Sequence, residues 1–284
     1  MKHLPSIKRP ARATTLALAS AAFGVAVTVP GLALATHSGQ AVPAPPAIPT
    51  SASQIQNIDQ VKTAIKGYYG DQLTTTMDPV NGTTALHTFN PDGNYAHEVE
   101  GIAAGAGKYL AHEAKPHQKH SGTPAILFDI DDTTLNTYNY EIYSNFVYNP
   151  TSNAAFVNSA AFPAVPGMVD LEQKAIDEGY QVFFLTGRPA TQLPGTITNL
   201  TNVGYTVDQS HVYLKDLTAP WLQPCMTDAN NLPCNTTEYK SLTRKYIESQ
   251  GYDIVANFGD QFSDLNGGFA DETYKIPNPM YYLP

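Results

Sequence analysis

An α/β fold, in which a parallel sheet is covered by helices on both faces, is predicted for this chain of 284 residues on three observations. Short apolar runs, "AILFDI", "YQVFFLT", "SHVYLK" and "YDIVANFG", read as strands buried on both faces. Between them stand segments of helical character, "PGMVDLEQKAIDEG", "ATQLPGTITNLTNVG" and "EYKSLTRKYIESQG", and strand–helix alternation is the pattern of a parallel sheet. The strands run directly into polar residues, and beyond the carboxyl ends of its strands is where an open parallel sheet binds ligands. A hydrophobic content of 42% is ample for a core.

Taken in order, residues 1–35 read as a secretory signal peptide. Lys2, Lys8, Arg9 and Arg12 make a basic start, an apolar run follows, and Ala33 and Ala35 fit an A-x-A cleavage site. Pro30 and Gly31 interrupt the run, which is short for a membrane span of about 20 residues. A secreted protein with no stable membrane anchor after cleavage is therefore expected. Removing this segment takes away four positive charges and no negative ones, so the net charge falls from −9 to −13. An acidic chain of this kind is a poor partner for nucleic acid or anionic lipid, both of which need a basic surface.

Residues 36–52, rich in Pro and Ala, read as an extended linker. An N-terminal helical segment is expected over 53–120. Ile55, Ile58, Val61 and Ile65 recur at three- and four-residue intervals, and "NYAHEVEGIAAGAGKYLAHEA" sets Val99, Ile102, Ala106, Tyr109 and Leu110 on one face before Pro116 stops it. The α/β core is assigned to 121–284. Two stretches fall outside its alternation, 138–165, read as a small cap insertion, and 216–237, read as a loop. The only two cysteines, Cys225 and Cys234, lie in the latter. In an oxidising compartment an even pair close in sequence is most simply a disulfide, which contributes roughly 2–3 kcal/mol by chain entropy.

The strand ends carry the chemistry. The first delivers Asp129, Asp131, Asp132 and Thr133, the second Thr186, Gly187 and Arg188, and the fourth "GDQFSD", Gly259 to Asp264. Lys240 and Arg244 belong to the helix before that fourth strand. Carboxylates this concentrated repel one another, so Asp129, Asp260 and Asp264 are read as an anionic cup for a hard cation. Oxygen ligands with little His or Cys suit Mg²⁺. A calcium loop is the rival, but "DIDDTTLNTYNY" lacks Gly at its sixth position and an acid at its twelfth. With a cation in place the cup would accept phosphate, balanced by Lys240 and the amides after Thr186. Asp129 is then the nucleophile and Asp131 the general acid and base. Thr133 either orients the acids or caps the next helix. Arg188 either faces the phosphate or makes a structural salt bridge, and Asp132 either faces solvent or caps the helix. Lys215, at the end of the third strand, competes with Lys240, which its "KSxxR" context favours.

These residues resemble the haloacid dehalogenase (HAD) superfamily of phosphohydrolases through four motifs in order: Asp129–Thr133 as D-x-D-x-T, Thr186 in "FFLTGRP", Lys240 in "YKSLTR", and Gly259 to Asp264 as G-D-x-x-x-D. The segments "NFGDQFSDL" and "KIPNPMYYLP" are similar to its secreted acid phosphatase branch, which includes plant vegetative storage proteins. The resemblance spans roughly 122–284. It implies a Rossmann-like three-layer core and Mg²⁺ held by the side chains of Asp129 and Asp260 and by the backbone carbonyl of Asp131, with Asp264 acting through water. It also implies hydrolysis of small phosphate monoesters at acidic pH through a phospho-aspartate. An acid at the position of Asp131 favours phosphate chemistry over dehalogenation. Two alternatives stand beside this reading. One is a narrower nucleotidase or phosphotransferase, in which Tyr138, Tyr140, Tyr143 or Phe146 of the insertion stacks a base, although packing the cap is the use expected first of these rings. The other is a non-catalytic storage or binding protein, against which the intact Asp129 speaks.

Overall fold

The computed structural model describes residues 47–115, 118–226 and 234–283, all within one unit, His37–Pro284. The expected signal peptide, most of the expected linker and Pro116 lie outside the described residues.

The first helix, α1 (Ile58–Tyr69), starts later than the apolar spacing suggests. A capping box between Asn57 and Gln60 sets its start, and Gly70 in the left-handed region ends it. Of the four apolar residues that suggested the helix, only Ile65 is buried, while Ile55, Ile58 and Val61 are 60%, 69% and 39% exposed. A two-stranded antiparallel hairpin not expected from the sequence follows, β1 (Gln72–Met77) and β2 (Ala85–Thr88). Asp78 closes its turn by accepting four backbone N–H groups, from Val80, Asn81, Thr83 and Thr84. The long helix α2 (Asn94–Glu113) buries Val99, Ala103, Ala106 and Leu110 at three- and four-residue spacing, as its pattern predicts.

The strand β3 (Thr123–Phe128) opens the main sheet. Two helices, α3 (Tyr138–Tyr143) and α4 (Pro150–Ser159), fill the insertion, and α5 (Met168–Asp177) leads into β4 (Gln181–Pro189). Then come α6 (Leu193–Asn202), β5 (Val212–Lys215), the short α7 (Gln223–Met226), and α8 (Thr236–Ser249). The chain continues through β6 (Tyr252–Gly259), α9 (Phe262–Leu265) and β7 (Glu272–Lys275), the last a strand that sequence reading passed over. The sheet has order β5-β4-β3-β6-β7 and all its pairings are parallel.

Alternation along the strands builds two cores. Ile126 and Phe128 of β3 with Val182 and Phe184 of β4 meet Val99, Leu110, Leu171 and Ala175 of α2 and α5 on one face. Ala125 and Leu127 with Phe183 and Leu185 meet Tyr239 and Ile247 of α8 on the other. This is the expected three-layer arrangement, and β3 at its centre carries its terminal residues to the middle of one sheet edge. The disulfide between Cys225 and Cys234 joins α7 to the residue before the α8 cap, Asn235.

Candidate active site

β3 is prolonged by one backbone bond, from Asp129 N to the Phe258 carbonyl at 2.9 Å, which sets Asp129 beside the end of β6. The chain then turns sharply. Ile130 carbonyl accepts the backbone N–H groups of Thr134 and Leu135, and Asp132 adopts φ +54°. On β6, Gly259 leads to Asp260, and a Cβ at 259 would lie 2.4 Å from the Asp264 Cβ. Only glycine lets the α9 turn fold this tightly against the strand, which explains the first residue of the G-D-x-x-x-D pattern.

Asp129, Asp260 and Asp264 are thereby brought together, each offering one carboxylate oxygen within 4.8 Å of the others, and all are buried. Burial pushes the Asp129 carboxyl up, Lys240 opposes this, and Asp264, Asp260 and Asp131 reinforce it. Burial likewise raises Asp260, with Asp264 and Asp132 adding to the effect. Lys240 comes from α8 to the same place, donating to Asp129 Oδ1 and, at 2.5 Å, to Asp264 Oδ1. Burial works against its ammonium, but the charges of Asp129 and Asp264 prevail and hold it above the ordinary lysine range. The donor set, three buried carboxylates without His or Cys, fits a small hard divalent ion.

Asp131 stands apart. Arg188 at the end of β4 grips it with a fork, Nη2 to Oδ1 at 2.6 Å and Nε to Oδ2 at 3.0 Å. Arg188 in turn is held by Thr196 at 2.9 Å and lies over the Phe162 ring. Of its two sequence readings the salt bridge is the one realised, and its partner is the expected acid–base residue. The Asp131 side chain keeps 31% exposure while that of Arg188 keeps 3%, so the acid faces solvent from a buried anchor. Thr186 accepts a bond from the Arg188 backbone N–H at 3.2 Å, which leaves its own hydroxyl hydrogen to donate. Its carbonyl is held by the Tyr239 hydroxyl at 3.1 Å. Gly187 is exposed, and a Cβ there would meet nothing within 4 Å.

Two readings are corrected. Asp132 does not face solvent: it is fully buried and accepts from the backbone N–H of Thr137, the N-cap residue of α3, from Thr137 Oγ1 and from Tyr281 Oη. Burial pushes its pKa up to about 7, the Thr137 bonds opposing. Thr133 caps no helix, since its buried hydroxyl has no partner among the described residues and Thr137 precedes α3. Tyr138 and Tyr140 of the insertion are buried in the core, the packing use expected of them, and present no face for stacking a ligand. Lys215 lies over the Tyr239 ring, while Lys240 is the lysine at the acids.

Sequence reasoning missed two supporting residues, Gln261 and Asn278, and named a third, Arg244, without its role. Gln261 and Asn278 donate to Asp260 Oδ2 at 2.7 and 2.6 Å. Arg244, one turn beyond Lys240, donates to the carbonyls of Asp264, Asn266 and Gly268 and so ties down the loop after α9. The recurrence of Lys and Arg at i, i+4 in "YKSLTR" was the available signal for Arg244, because that spacing sets both on one helix face.

A family profile described as HAD superfamily, subfamily IIIB (Acid phosphatase), matches residues 92–284. "Acid phosphatase 1" of Solanum lycopersicum is 28% identical over 193 residues, covering 66% of this chain and 69% of that one. "Stem 31 kDa glycoprotein" of Glycine max is 33% identical over 163 residues, covering 56% and 59%. "Vegetative storage protein 1" of Arabidopsis thaliana is 26% identical over 238 residues, covering 82% and 75%. Among solved structures, the class C acid phosphatase from Bacillus anthracis superposes with a TM-score of 0.52 at 23% identity, covering 66% of this chain and 80% of that one. That last likeness speaks to the fold.

Proposed function

The chain belongs to subfamily IIIB of the HAD superfamily, the acid phosphatases, and from that premise we propose that it is an exported, Mg²⁺-dependent phosphomonoesterase working through an aspartyl phosphate. The observation that carries this reading is the meeting of Asp129, Asp260 and Asp264, with Lys240 bonded to Asp129 and Asp264, while Asp131 is held separately by Arg188. Two carboxylates two residues apart in such different settings suit opposite roles.

The side chains of Asp129 and Asp260 and the backbone carbonyl of Asp131 would hold Mg²⁺, with Asp264 acting through water. When bound, the ion supplies positive charge against the clustered acids and the incoming phosphate. The Thr186 hydroxyl, the backbone N–H of Gly187 and the Lys240 ammonium donate to the phosphoryl oxygens. Asp129 forms a bond to phosphorus as the bond to the leaving oxygen breaks, and Asp131 gives that oxygen its proton. In the second half Asp131, now ionised, takes a proton from water as the water oxygen displaces Asp129 from phosphorus, releasing inorganic phosphate. The Arg188 fork keeps Asp131 aimed through both halves. The disulfide supports maturation in an oxidising compartment.

Turnover of p-nitrophenyl phosphate by Asp129→Asn tests the nucleophile, with loss to background expected. Full activity in that variant would overturn the assignment, and turnover indifferent to EDTA would overturn the metal. The plant storage proteins among the relatives supply the rival reading, which a wild-type protein inert toward phosphate esters with Mg²⁺ present would favour.

A further inference from the structure

The segment 276–283 has no regular secondary structure, yet it crosses beneath both acidic strand tips. Ile276 N donates to the Gly259 carbonyl at 2.8 Å, seating the segment beside β6. Asn278 Nδ2 donates to Asp260 Oδ2 at 2.6 Å, and the Gln261 amide donates to the same oxygen at 2.7 Å. Tyr281 Oη donates to Asp132 Oδ2 at 2.8 Å, on the loop that carries Asp129 and Asp131. Gln261 Oε1 accepts from Leu283 N at 3.0 Å and Ser263 Oγ donates to the Leu283 carbonyl at 3.3 Å. One strap thus holds two tips that are far apart in sequence.

We infer that this strap is a working part of the site and that Asn278 is a positioning residue for Asp260. A carboxylate has two oxygens, and a ligand geometry is defined only when something fixes which of them faces the ion. Here two amide donors occupy Oδ2, which leaves Oδ1 without a hydrogen-bond donor among the described residues and sets the plane of the group. Tyr281 does the corresponding work at one remove. Its bond fixes Asp132, whose other bonds hold Thr137 and hence the return of the loop that begins at Asp129. None of these residues reaches the reacting atoms, and all act through Asp260 or Asp132.

The inference rests on the proposed role of Asp260 as a metal ligand, and the test separates the two. Mg²⁺ alone is titrated calorimetrically into metal-free wild type and Asn278→Ala, and melting temperatures are taken before and after saturation. Weakening of Mg²⁺ binding by about 10- to 100-fold in Asn278→Ala is expected, the usual loss on removing an outer-shell partner. Turnover should recover as Mg²⁺ is raised, because the variant keeps every reacting group. Equal Mg²⁺ affinity in wild type and Asn278→Ala would overturn the inference, whereas a wild type that binds no Mg²⁺ would overturn the proposed metal role instead. Should Asn278→Ala fail to fold, Tyr281→Phe retains the ring and removes only the hydroxyl. It is expected to weaken Mg²⁺ in the same direction, and unchanged affinity there would likewise count against the strap.

Discussion

Replacing Lys240 with methionine removes the ammonium that bonds Asp129 and Asp264 while keeping a chain of similar bulk. The side chains of Lys240, Asp129 and Asp264 are 4%, 6% and 5% exposed, so the pairing belongs to the interior and not to a screened surface. Breaking a buried pair by deleting one partner destabilises by about 3–5 kcal/mol, because the remaining charge is left uncompensated. At about 2–4 °C per kcal/mol for a domain of this size, the metal-free Lys240→Met protein should melt roughly 6–20 °C below wild type at neutral pH. The loss should shrink as pH falls, because burial raises the carboxyls of Asp129 and Asp260 and their protonation leaves less charge to balance. Saturating Mg²⁺ should restore part of it. Circular dichroism melts of dialysed protein at neutral and at lower pH measure the effect, and steady-state turnover should fall by about 10²–10³, the loss typical of one preorganised donor. A metal-free variant that melts with wild type at neutral pH would refute the electrostatic reasoning, and an unchanged kcat would remove Lys240 from the phosphate site.

Two further outcomes follow from the same geometry. In metal-free protein the buried carboxyls of Asp129, Asp132, Glu141 and Asp260 all have folded pKa values above those of the unfolded chain, Asp132 and Glu141 at about 7. A carboxyl raised in this way binds more protons folded than unfolded, so stability must decline as pH rises from about 4 through 7. The melting temperature should therefore be higher at pH 5 than at pH 7.5, with Mg²⁺ narrowing the gap, and a metal-free melting temperature that climbs over this range would contradict it. Cys225→Ser with Cys234→Ser opens a link between residues nine apart in sequence. It should lower stability by roughly 2–3 kcal/mol in urea unfolding, and an unchanged midpoint would show that α8 holds its place without the clamp.

The sheet was legible because each of its central strands is a continuous apolar run, and burial on both faces leaves no polar alternation to confuse the reading. The catalytic candidates were legible for a related reason, since parallel strands collect their ends at one edge and the acids follow the apolar runs directly. What escaped depended on neighbours distant in sequence. The strands β1 and β7 are short and mostly exposed or half-buried, so nothing in their own composition marks them. The apolar spacing of Ile55, Ile58 and Val61 suggested a buried face, but α1 is anchored through Ile65 and Tyr69. Tyr69 stacks between Tyr95 and Tyr138 with centroids 4.3 and 4.5 Å apart, an arrangement assembled from three separate elements. Asp132 looked like a surface acid because its donors, Thr137 and Tyr281, cannot be paired with it by spacing alone.

The bond from Tyr281 to Asp132 joins residues 149 apart in the chain. A nascent polypeptide that has emerged only as far as the end of α9 already contains every acid of the candidate site, yet lacks the anchors from Asn278 and Tyr281 to two of them. On the strap inferred above, the site would be finished only after synthesis passes residue 281. For the exported protein proposed above, translocation in an unfolded form would precede competence, and phosphate esters on the near side of the membrane would be spared.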